Sequence, residues 1–285
     1  MKHVHTVRVG PYGFRVGSDW RAPIAALERL YAGYPKPDGV ADFTVRLEAV
    51  RPWRRFVRPS VAIAGDWTLP EAAPLPLAHA LLAAEMGMNL QLALGGRRHL
   101  LLHASSVERD GRALLMTGES GAGKSTLSVA LAARGWRFMG DEFALIDFDT
   151  GEVLAVPRPV SLKNDSIAVG RAAWPDAVTG PLLTATPKGD VQHFAPGSAA
   201  IAVMNRPAKP ALLLFPRYGF APEVRPVPLS ETFVRLTQAS TNYTALGRVG
   251  FETLIRLVRD VPALAVDYPD GQAGVQAVEA LWAAL

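Results

Sequence analysis

Cysteine is missing from the chain altogether, which removes disulfide scaffolds, thiolate nucleophiles and cysteine-ligated zinc from consideration. An apolar run able to span a membrane is missing too. The stretch 77–94 is interrupted by His79, Glu85, Asn89 and Gln91, whereas a spanning helix needs about 20 predominantly apolar residues. The opening MKHVHTVRVG alternates polar with apolar residues and lacks the apolar block of a signal peptide, so a cytoplasmic location is the expectation. Neither an internal repeat nor a low-complexity tract is present. Charge of one sign is scarce: the net charge is +4 over 285 residues, which fits a polyphosphate or an acidic peptide at least as well as nucleic acid. What remains is a globular composition, 49% hydrophobic and 20% charged, in a chain long enough for one large or two small domains with real cores.

The densest chemistry lies between Leu100 and Phe148. Gly118, Gly123, Lys124 and Ser125 satisfy G-x-x-x-x-G-K-[ST], and the context is right on both sides. Ala113–Met116 reads as a buried strand entering the loop, and Thr126–Arg134 as a helix leaving it, with Leu127, Ala130 and Leu131 on one face and Gly135 as its stop. Glycines let successive N–H groups point inward, and the helix N-terminus adds positive potential where a polyphosphate would sit. The expected nucleotide-binding residues are Gly118, Glu119, Ser120, Gly121, Ala122, Gly123, Lys124, Ser125 and Thr126, with Lys124 reaching the outer phosphates and the Ser125 hydroxyl ligating Mg²⁺.

A second apolar strand, Trp136–Met139, ends in Gly140-Asp141-Glu142. One helix therefore returns the chain to the strand beside the loop and delivers a carboxylate pair to the C-terminal edge of a parallel sheet, where α/β sheets place their chemistry. Upstream, Arg109-Asp110-Gly111 is turn chemistry, so Ser105–Thr117 reads as a hairpin feeding the loop. Leu100–Leu102 is a strand of the same sheet by this reading, and His103 at its end is placed to tune the proton affinity of Asp141.

His103, TGESGAGKST and the Gly-Trp-Arg-Phe-Met-Gly-Asp-Glu run together resemble the catalytic domain of HPr kinase/phosphorylase, whose P-loop fold is akin to phosphoenolpyruvate carboxykinase. The HPr kinase-related kinase A family is the nearest resemblance, supported by DEFALID, PRPVSLKN at 157–164, TPKG at 186–189, FPRYG at 215–219 and STNYTALGRVGFETL at 240–254. The resemblance implies an α/β kinase domain using ATP and Mg²⁺, with Asp141 as the base toward an acceptor serine and His103 as its partner. It further implies Lys124 on phosphate, Ser125 and Glu142 at the metal, and a homo-oligomer. Similar kinases modify peptides, including lasso-peptide precursors, which makes a small protein or peptide the expected acceptor. Arg158, Lys163 and Lys188 are then the cations that neutralise the transferring group, Lys188 on a loop able to close; ordinary surface charge is the alternative for each.

The expected organisation is an α/β accessory domain over residues 1–72 and the kinase domain over 73–285. In the first, His3–Val9 and Tyr12–Val16 form a hairpin at Gly10-Pro11, Ile24–Tyr31 a helix, and Phe43–Leu47 and Val61–Ala64 strands. The run Arg51-Pro-Trp-Arg-Arg-Phe-Val-Arg58 interleaves arginines with aromatics; a solvated turn, a partner-peptide contact and a nucleic-acid contact are its readings. Pro70–Pro76 reads as a linker and Leu77–Leu94 as a core helix over the kinase sheet. Downstream, Ala211–Phe215 is a strand and His193 structural, and helices carrying Phe251, Leu254, Ile255 and Val258, then Val275, Val278 and Trp282, close the core. The expected activity is serine phosphorylation with neither nucleic acid nor membrane as partner. A metabolite kinase and a non-catalytic nucleotide-binding regulator are the alternatives.

Overall fold

The alternating residues at the start pair as a hairpin, β1 (His3–Val9) against β2 (Tyr12–Ser18), turning at Gly10, whose φ is 55°. In this computed structural model, which describes residues 1–69 and 72–285, helix α1 (Arg21–Leu30) buries Ile24, Leu27 and Leu30 and carries the chain to β3 (Phe43–Ala49), parallel to β2. Strands β4 (Ser60–Gly65) and β5 (Leu75–Pro76) follow antiparallel, giving a sheet in the order β1-β2-β3-β4-β5. Of the expected linker, Pro70 and Glu71 lie outside the described residues, while Leu75–Pro76 is ladder rather than spacer, since Val61 pairs with Leu75.

Helix α2 (Ala80–Gly95) does not cover the sheet of the glycine loop, contrary to the sequence expectation. It packs on β3, β4 and α1, where Met88 and Leu92 share a core with Val45 and Leu47. Gly87 permits the approach: a Cβ there would stand 2.6 Å from Val45 Cγ1. Leu101, Leu145 and Val191 belong to the same buried cluster, and no residue of the helix is exposed. That explains its weak periodicity, because a helix with apolar neighbours on every side need not be amphipathic.

Beyond α2 run β6 (Leu100–Leu102), β7 (Ser105–Arg109), β8 (Arg112–Met116), α3 (Lys124–Ala132), β9 (Arg137–Gly140), β10 (Ala144–Ile146) and β11 (Val153–Leu154). Next come β12 (Val160–Lys163), α4 (Ser166–Ala173), β13 (Leu183–Thr186), β14 (Gly189–Phe194) and α5 (Ser198–Ala202). The chain closes with β15 (Lys209–Tyr218), β16 (Glu223–Pro226), α6 (Leu229–Ala239), α7 (Tyr243–Leu246), α8 (Arg248–Asp260), β17 (Ala263–Tyr268) and α9 (Gly271–Ala283). A six-stranded mixed sheet, β16-β17-β15-β8-β7-β9, forms the centre of this part.

The sheet alternates as strands covered on both faces must. Leu114, Met116, Leu212 and Leu214 point to α3 and α9, while Ala113, Leu115, Leu213 and Phe215 point to α6 and α8. The parallel core is β17, β15 and β8. The parallel sheet expected around the carboxylates is corrected here: β7 is inserted antiparallel between β8 and β9. Strand β6 is likewise not part of it, but pairs with β10 in a separate three-stranded sheet, β11-β10-β6. Among the described residues, no helix is long and apolar enough to cross a membrane.

Candidate active site

Strand β8 is buried through Met116 and delivers Thr117 to a loop at the sheet's C-terminal edge. Gly118, Gly121 and Gly123 hold φ values of 154°, 87° and 93°, which side chains resist. At Gly123 space forbids a side chain as well, for a Cβ would lie 2.4 Å from the Tyr268 hydroxyl oxygen. Lys124 opens α3 and folds back over the loop, its Nζ donating to the carbonyls of Gly118 at 2.7 Å and Glu119 at 2.9 Å. Burial lowers the proton affinity of this amine; Asp141 and Glu142 oppose that shift and Lys163 adds to it. The curled loop runs into the N-terminus of a nine-residue helix with this ammonium folded over it, an arrangement that suits a polyphosphate.

Asp141 stands immediately after β9. It is buried, and desolvation, with Glu142 next in importance, pushes its carboxyl up to about 6. Ser105 and Ser125 hydroxyls and the Lys124 charge pull the other way without cancelling the rise. Ser105 Oγ donates to Asp141 Oδ1 and approaches the Asp141 carbonyl at 3.2 Å. The hairpin register explains this contact: Ser105 is opposite Met116, the last residue before the loop, and Ser106 is opposite Gly140. The inserted strand β7 thus carries its first side chain to the gap between loop and carboxylate.

Ser105 lies in the HASS stretch after β6, which as sequence favours an enzyme without giving this serine a role of its own. Counting back from the Asp110-Gly111 turn finds it, since the pairs 109 with 112 and 105 with 116 follow from a two-residue hairpin. Its removal as Ser105→Ala takes away a hydrogen bond that favours the ionised carboxylate. The Asp141 proton affinity then rises, and the acid limb of a pH–rate profile moves upward by about 0.5 to 1 pH unit. An unmoved limb would show that Ser105 does not set the protonation of Asp141.

The other expected residues separate into two groups. His103 reaches the site but not as the partner of Asp141: its Nδ1 donates to the Glu142 carbonyl at 3.0 Å and stands 3.8 Å from Glu142 Oε2. Lys163 and Lys188 come to one end of the β12-β14-β13 sheet, where Asn164 Oδ1 accepts from Asp190 N at 3.1 Å. Lys163 acts electrostatically on Lys124, whereas Lys188 stays exposed on the β13–β14 turn.

Arg158 goes elsewhere, so its expected role on a transferring phosphate is corrected. It is buried against α1 and α2, ion-paired with Glu85 and bonded to Asn89 Oδ1, the Glu85 carbonyl at 3.1 Å and the Tyr31 hydroxyl at 3.3 Å. Prolines 157 and 159 give the extended path that turns it inward. Although burial opposes it, Tyr31 and Glu85 hold the guanidinium firmly charged.

The donor set can accommodate a hydrated divalent ion alongside phosphates. Ser125, Asp141 and Glu142 lie together, and no cluster of three or more histidine or acidic ligands exists among the described residues. Mg²⁺ fits such a site, since it takes one or two carboxylates plus phosphate and water rather than a closed protein cage.

No protein-family model matches the chain, and no curated protein matches it. Among solved structures, the HPr(Ser) kinase/phosphatase from Coxiella burnetii is similar over 64% of this chain and 92% of that chain, at 14% identity and a TM-score of 0.28. This is a distant structural likeness, and nothing about the chemistry of the site follows from it.

Proposed function

We propose that the chain is an ATP-dependent, Mg²⁺-assisted serine kinase acting on a small protein or peptide. The observation that carries the reading is the position of Asp141: a buried carboxylate with its proton affinity raised to about 6, beside a glycine loop closed by Lys124. Phosphoryl transfer asks a protein for in-line positioning, neutralisation of the charge on the moving group and a group to take the hydroxyl proton. Asp141 is ionised at neutral pH yet basic enough to accept that proton from an acceptor serine. Ser105 orients the carboxylate, Lys124 and the loop N–H groups hold the phosphates, and Lys163 adds positive charge. Ser125 and Glu142 would hold the metal, which neutralises phosphate charge when bound.

Residues 1–72 as accessory unit and 73–285 as kinase unit belong to the same proposal, with α2 packed back across that division. A metabolite hydroxyl could use the same base, so free serine serves as the competing acceptor in any assay. Lys124→Ala tests the nucleotide half of the reading. Calorimetry with MgATP is expected to show affinity at least tenfold weaker, because a charge-assisted contact to phosphate is lost; unchanged affinity would remove the loop from nucleotide binding.

A further inference from the structure

The end of the first sheet opposite its Gly10 turn carries a surface that the kinase reading does not use. Strands β1 and β2 meet the rest of the chain at their Gly10 end, where Arg8 Nη1 bonds Asn205 Oδ1 at 2.9 Å and the Tyr12 hydroxyl meets His99 Nδ1 at 3.1 Å. The opposite end lies one seven-residue strand away, a distance of about 23 Å. There the connection from β3 to β4 forms a single 3-10 turn, Pro52–Arg55, in which Phe56 N and Val57 N both donate to the Trp53 carbonyl.

That turn places Trp53, Phe56 and Val57 side by side at the spacing of one helical face, and they are 55%, 80% and 63% exposed. Four arginines, Arg51, Arg54, Arg55 and Arg58, surround them with no acid between residues 51 and 58. Arg55 is tied inward to Asp19; Arg51, Arg54 and Arg58 have no acidic partner among the described residues. The turn is fixed to the body, since Trp20 Nε1 donates to the Arg55 carbonyl at 3.1 Å.

We propose that this tip docks the protein peripherally on an anionic lipid surface, with Trp53, Phe56 and Val57 entering the headgroup region and the arginines on lipid phosphates and carboxylates. An apolar face ringed by cations is what an interfacial segment needs, and tryptophan favours that depth. Two other occupants fit less well. A second copy of the same tip would bring four arginines against four. An acidic peptide would find its groove in the neighbouring cleft of about 500 Å³, but that cleft sets Asp19 and Glu48 beside Arg51, Arg55 and Phe56, and Trp53, Arg54, Val57 and Arg58 lie outside its lining. This departs from the sequence expectation of no membrane partner, and it is independent of whether the chain transfers phosphate.

The test is co-sedimentation of the full chain with vesicles of phosphatidylcholine alone or containing about 30% phosphatidylserine, with soluble poly-glutamate as a competitor. Binding is expected only to the anionic vesicles and should weaken with salt. Loss of one arginine is expected to weaken it about fivefold, and Arg51→Gln/Arg54→Gln/Arg58→Gln on the order of 100-fold. Trp53→Ser/Phe56→Ser is expected to reduce binding at least tenfold, with the melting temperature unchanged because both rings are exposed. The proposal is overturned by equal binding to both vesicles, by no binding to either, by variants that bind as the parent does, or by poly-glutamate binding that occurs without any vesicle binding.

Discussion

Asp141→Asn is expected to lose phosphoryl transfer by roughly 10³-fold and, at the same time, to melt at a higher temperature than the parent at pH 7. The two effects have one cause. Desolvation raises the Asp141 carboxyl from its ordinary 3.8 to about 6, so the folded state holds this proton more tightly than the unfolded chain does. Stability is therefore lost as pH rises from about 4 through 6, and the penalty of a buried anion is fully present above 6. Asparagine keeps the size and can still accept from Ser105 Oγ, but carries no charge. The gain at neutral pH is about 3 kcal/mol, or a few degrees of melting temperature. It should vanish below about pH 3, where the parent carboxyl is protonated in both states. Melting curves over this pH range check the account; a variant less stable than the parent at pH 7 would show that the charge is favourably paired, and that the carboxylate is not poised as a base.

The second large effect concerns Arg158, whose replacement should damage the fold rather than the chemistry. Its partner Glu85 is buried, and Arg158→Ala would strand that carboxylate beside Tyr31 and Asn89. Removing one member of a buried pair is destabilising by roughly 3 to 5 kcal/mol. Glu85 Oε1 and both ring nitrogens of His193 have no hydrogen-bond partner among the described residues, so the polar cluster is only partly satisfied. The joint change Arg158→Met/Glu85→Leu should consequently recover most of the loss. Denaturant unfolding of the single and double variants separates the outcomes, while ATP affinity of the folded fraction stays at the parent value. A stable Arg158→Ala that fails to bind or turn over ATP would return this residue to the active site.

Local signals were the most legible. The hairpin ending in β8, the glycine loop and α3 follow from turn chemistry, left-handed glycines and helix patterning, each set by residues within a few positions of one another. Long-range assignments fared differently. Periodicity marked α2 as buried but could not say against which sheet, and it lies on the first. The strand-like run Leu100–Leu102 carried no information on its sheet, which is that of β10 rather than that of β8. Arg158 and Lys163 look alike in the sequence, yet one enters the interior to meet Glu85 and the other stays near Lys124. Ser105, without a motif of its own, gains its importance from the register of an inserted antiparallel strand. His103 was expected beside Asp141, and its ring meets Glu142, the next residue along the chain.

The most direct measurement is transfer of label from γ-labelled ATP with Mg²⁺, comparing parent and Asp141→Asn on candidate peptides from the same cells, with free serine and no acceptor in parallel. The account predicts label on a peptide serine with the parent, almost none with the variant, and undiminished ATP binding by both. Equal transfer by Asp141→Asn, with ATP affinity intact, would contradict it.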